Sequence, residues 1–111
     1  MATGTLLDSS GGQLIIDADG NVTLAEIDHQ SAGATDDVTV TSINGSVTLL
    51  AGEGGIVATN GASVTVNAEV GVTLNDVVTV DNAGTVTVDA DVDNNGVGSL
   101  TTTGDGDITA A

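Results

Sequence analysis

The sequence predicts an all-β chain folded as a parallel β-solenoid, a three-sided β-helix of about four coils of about 25 residues. Three observations predict it. The tripeptide Val-Thr-aliphatic recurs from Val22-Thr23-Leu24 to Val86-Thr87-Val88. One subset keeps strict phase, with Val22, Val47 and Val72 each 25 residues apart. The apolar set is almost wholly Val, Ile, Leu and Ala, and the 111 residues include no Phe, Tyr or Trp. Aromatics normally supply much of a rounded core, so a core without them implies thin stacked layers.

Each coil divides into three short strands. The first kind begins near Leu14, Val38, Val64 and Val86. The second begins at Val22, Val47 and Val72, and the same step continues to Val97. The third is less regular: Ile27, Ile56–Ala58, Val77–Val80 and Ile108–Thr109. In every Val-Thr-Val the two aliphatics share one face and Thr takes the other. Period-2 patterning dense in Val and Thr opposes helix. Gly, Asn, Asp and Ser between the segments supply the corners. Residues 1–12 read as an N-terminal segment, loosely ordered or serving as an inter-subunit arm, and residues 13–111 as the solenoid. At about 4.8 Å per layer the column is about 20 Å tall. Thr23, Thr48 and Thr73 are expected to stack on one outer face.

The charge is one-sided. Sixteen acids and no Lys or Arg give −16, which repels nucleic acid and anionic membrane surfaces. No apolar run reaches membrane-spanning length, so neither nucleic acid nor membrane insertion is expected. With no Cys, redox compartment leaves no trace. MATGTLLDSSGG lacks the basic and apolar regions of a signal peptide, so export implies a longer precursor or another route.

One stretch breaks the repeat. DADGNVTL (Asp17–Leu24) and DADVDNNGVGSL (Asp89–Leu100) begin alike, but the second is longer. Its Asp91-Val92-Asp93-Asn94-Asn95-Gly96 follows the opening of a calcium loop, with Ser99 at the ninth position. Asp91, Asp93, Asn95 and Ser99 are thus the candidate calcium ligands, calcium being the only cofactor the sequence suggests. The twelfth position, where a bidentate Glu belongs, is Thr102. An ordinary corner also wants Asp, Asn and Gly, and both readings stay open here.

Other polar groups have plainer readings. His29 stands alone and is expected in a surface loop. Asp36-Asp37 and Asp105 with Asp107 have the composition of glycosidase carboxylates, yet aromatic sugar platforms and basic groups are missing. They read as solvated corners, and no catalytic residue is assigned. Gly52, Gly54 and Gly55 suggest a phosphate loop only superficially, since no Lys follows.

GNVTLAEI, DVTVTSINGSVTLLAGEGGIVATNG and GSLTTTGDGDITAA resemble the repeats of filamentous-haemagglutinin-type proteins, large secreted bacterial β-helical surface proteins that include adhesins. The resemblance runs from about Gly11 onward. It implies an extracellular or cell-surface stalk that binds a surface glycan or cell-surface ligand, and it implies no enzyme activity. The expected function is a non-enzymatic structural or adhesive module, self-associating head-to-tail with help from cations. A carbohydrate-active β-helix enzyme fragment and an ice-binding solenoid are the alternatives.

Overall fold

The computed structural model describes all 111 residues, which form thirteen strands and no helix. The strands are β1 (Leu6–Ser10), β2 (Leu14–Ala18), β3 (Val22–Leu24), β4 (Glu26–Gln30), β5 (Val38–Ser42), β6 (Ser46–Leu49), β7 (Gly55–Ala58), β8 (Val64–Ala68), β9 (Gly71–Leu74), β10 (Val78–Val80), β11 (Val86–Asp89), β12 (Leu100–Thr102) and β13 (Ile108–Ala110). They sort into three parallel sheets, β1-β4-β7-β10-β13, β2-β5-β8-β11 and β3-β6-β9-β12. The chain visits the sheets in strict rotation, so each set of three strands is one coil of a three-sided solenoid. The molecule measures 36 × 27 × 23 Å.

Strand pairing turns the sequence repeat into columns. Leu14, Val38, Val64 and Val86 lie in register, as do Leu24, Leu49 and Leu74. In the third sheet the inward column is Leu7, Ile27, Ile56, Val78 and Ile108. Alternation gives β5 and β8 the same inward-outward pattern, and one aliphatic cluster runs through the stack. Neighbouring layers bury one another's side chains, each worth about 1.5–3 kcal/mol when fully buried. Outward Thr23, Thr48 and Thr73 stack as expected, and Thr101 joins them beneath Thr73.

Two expectations are corrected. Val97 does not continue the 25-residue phase: Leu100 pairs with Val72, and Val97 is 66% exposed. Asp89 stacks in the column of Asp17, Thr41 and Asn67, yet the first inward residue of the following strand comes five positions after Asp17, at Val22, and eleven after Asp89, at Leu100. The surplus forms a loop, and the strand resumes only when that loop has closed. His29 is not on the surface either. It is fully buried on β4, in register with Ser9 and Ala58. Alternation requires this, because Ile27 faces inward and position 29 must follow. Within residues 1–12, Leu6–Ser10 form β1 and pair with β4.

Candidate functional site: the Asp-Asn loop and the last coil

The loop between β11 and β12 closes on its own carboxylates. Asp91 Oδ1 accepts the Asn95 N–H (3.2 Å) and Oδ2 accepts the Gly96 N–H (2.9 Å). Asp93 Oδ2 accepts from Asn95 Nδ2 (2.6 Å), and Asn95 Oδ1 accepts the Val97 N–H (2.8 Å). The structure therefore brings together three of the four candidate ligands, Asp91, Asp93 and Asn95. The Ser99 carbonyl accepts the Val72 N–H of the preceding coil (2.9 Å). Thr102 is committed to β12, paired with Leu74. Nowhere do three His, Cys, Asp or Glu side chains converge as a metal-holding group.

The remaining carboxylates are dispersed. Asp36 and Asp37 lie between β4 and β5, where Asp36 accepts the Ala32 N–H (3.1 Å) and Asp37 accepts the Ser63 N–H (2.8 Å). Asp105 and Asp107 lie between β12 and β13, at a different corner. Buried His29 bonds through Nε2 to the Asp36 carbonyl at 2.7 Å, while Nδ1 has no partner.

Asp76 carries no signal of its role in the sequence. It is 7% exposed at the corner between β9 and β10. Its carboxylate accepts N–H groups from Glu53 (2.8 Å), Gly54 (3.1 Å) and Val77 (2.8 Å). Burial alone would raise the carboxyl, but N–H donors from Val77, Gly54, Glu53 and Gly52 outweigh it and hold the group below the ordinary aspartate value. The Gly-rich AGEGG stretch is thus an anion cradle after all, and its anion is this chain's own carboxylate. No local signal could reveal this, because the cradle precedes Asp76 by a whole coil.

The other feature is the last coil itself. β11, β12 and β13 each pair on one side only. Val86 and Val88 of β11 are half-buried, while Leu100 of β12 and Ile108 of β13 are 47% and 45% exposed. At the opposite end Val22 and Leu24 are buried, and the Met1 amine donates to the Thr23 carbonyl at the free edge of β3.

These features define the class: a three-sided parallel β-solenoid with a sealed middle and two open ends, the last coil the barer. No protein-family model, curated protein or solved structure matches the chain.

Proposed function

We propose that the chain is a non-enzymatic structural and adhesive module of an extracellular filament or surface adhesin, and that copies stack head-to-tail with the help of cations. The observation that carries this reading is the bare last coil. Its open strand edges and uncovered aliphatics continue columns that the middle coils seal, and exposed edges recruit further strands. Another β-solenoid end supplies what that surface lacks. The resemblance of the repeats to filamentous-haemagglutinin-type surface proteins supports the same reading.

Charge disfavours one orientation. The last coil carries Asp89, Asp91, Asp93, Asp105 and Asp107, so two such ends repel. The first strands carry fewer acids, Asp8, Asp17 and Asp19, together with the amine of Met1. Head-to-tail contact is therefore less repulsive than contact between two last coils, and heterologous contacts propagate without closing. Stacking −16 per subunit still demands counter-ions. Asp8 and Asp28 already sit in register on adjacent strands, an unfavourable like-charge pair.

Light scattering with refractive-index detection tests the proposal, since no Trp or Tyr absorbs at 280 nm. Large assemblies in calcium that dissolve in chelator are expected. Monomers under both conditions would remove the filament and leave a stalk segment. Assembly fastest in low salt with chelator would refute the charge argument.

A further inference from the structure

Three Asn-Gly pairs occur in the chain, Asn44-Gly45, Asn60-Gly61 and Asn95-Gly96. After Asn, a glycine leaves the following backbone nitrogen unshielded, so it can attack the side-chain amide. Whether it does depends on how freely the pair can reach the ring geometry, and the structure treats the three pairs differently.

Two of them are held between coils. Asn44 Nδ2 donates to Asp19 of the coil on one side (2.8 Å), and its backbone N–H donates to Glu69 of the coil on the other (3.0 Å). A Cβ at Gly45 would lie 2.5 Å from the backbone carbon of Gly20, so this peptide has no room to turn. Asn60 Nδ2 donates to the Ser31 carbonyl (2.7 Å), and the buried Gly61 donates to Asp81 (3.2 Å). Moving either pair breaks bonds between layers.

Asn95 and Gly96 are both exposed, and a Cβ at Gly96 would meet nothing within 4 Å. All their side-chain partners belong to the same loop and move with it. Those partners also suit the chemistry. The Gly96 N–H points at the Asp91 carboxylate (2.9 Å), a proton acceptor on the nucleophile. The Val97 N–H points at Asn95 Oδ1 (2.8 Å), where negative charge develops during attack. Asp93 holds the departing Nδ2 at 2.6 Å.

We infer that Asn95 is a self-modification site, at which the chain deamidates ahead of its other two Asn-Gly pairs. The Gly96 nitrogen forms a bond to Asn95 Cγ as its proton passes to Asp91. The Cγ–Nδ2 bond then breaks, and that nitrogen leaves as ammonia with the transferred proton. A five-membered succinimide remains, and water opens it at either carbonyl to give aspartate or isoaspartate. The net change is amide plus water to carboxylic acid plus ammonia. Each event adds one negative charge to the bare end coil.

The three glutamates make the test direct. Cleavage after Glu26, Glu53 and Glu69 places Asn44 in fragment 27–53, Asn60 in 54–69 and Asn95 in 70–111. The folded chain is incubated at neutral pH, digested and weighed over time. Fragment 70–111 is expected to gain the amide-to-acid mass shift several-fold faster than the others, and in urea the three rates should converge. Asn95→Gln should remove the fast phase, whereas its persistence would place the site elsewhere and overturn the inference. Asp91→Asn keeps a hydrogen-bond acceptor but loses the base, and several-fold slowing is expected. An unchanged or faster rate in that variant would remove Asp91 from the chemistry. Equal rates in all three fragments of the folded chain would overturn the inference as a whole.

Discussion

Ile56 and Ile108 stand in one inward column of the same sheet, two coils apart. Ile56 is 1% exposed and Ile108 is 45% exposed. The residue type, strand position and register are the same, and only the presence of a following layer differs. In this fold burial is conferred by the next coil rather than by the strand's own sequence. A solenoid coil is a half-built core until something stacks on it.

The largest effect expected from that comparison is at Ile56. Ile56→Ala leaves a cavity between sealed layers and should lower stability by about 3–4 kcal/mol, read by chemical denaturation. Ile108→Ala should cost about 1 kcal/mol, because half the side chain is already in water. Equal losses would mean that the last coil is covered in solution, and the difference should shrink in calcium if copies stack there.

Next in size is Asp76, whose bonds join adjacent coils in the sealed region. Asp76→Ala strands the N–H groups of Glu53, Gly54 and Val77 and should cost about 2 kcal/mol. Its pH dependence has a definite sign. Because the folded state holds the carboxyl below its ordinary value, the contribution is full above the unfolded pKa and disappears as pH falls through the folded one. Acid titration of wild type and Asp76→Asn should therefore show the gap narrowing as pH falls below the ordinary aspartate range. A gap that stays constant to strongly acidic pH would show that the cradle does not select the ionised form.

The smallest effect is at Val97, which stands outside every column. Val97→Ser should change stability by less than about 0.5 kcal/mol. Leu100→Ser, three residues on, should abolish calcium-dependent assembly and cost the monomer only about 1 kcal/mol. A large loss from Val97→Ser would restore it to the core.

The architecture was legible because its signal is local: Val-Thr-Val fixes a strand and its faces, and the 25-residue step fixes the stacking. That step failed at Val97, since nothing in a spacing announces that an Asp-Asn-Gly loop will absorb six more positions than the first corner. His29 carries two opposed signals: its polar identity points to the surface, but Glu26-Ile27-Asp28-His29-Gln30 alternates cleanly, and its phase decides for the interior. Leu6-Leu7-Asp8 alternates too weakly to declare β1. Asp76 lay beyond reach, because its partners sit 22 and 23 residues earlier. In the Asp-Asn loop the sequence points to Asp91, Asp93 and Asn95, which share hydrogen bonds, while the Ser99 carbonyl is taken by the Val72 N–H.

The parallel ladders have one further consequence. Their hydrogen bonds run along the solenoid axis, in the direction in which a tethered stalk would be pulled. Tension on the two ends loads the layers in series, and the end coils, each paired on one side only, are held by the fewest neighbours. A peeled coil of about 25 residues lengthens the chain by about 80 Å, against a loss of about 5 Å of column. If the module serves as the proposed stalk, it would stretch in discrete steps under load and recoil by rewinding onto the layers that remain.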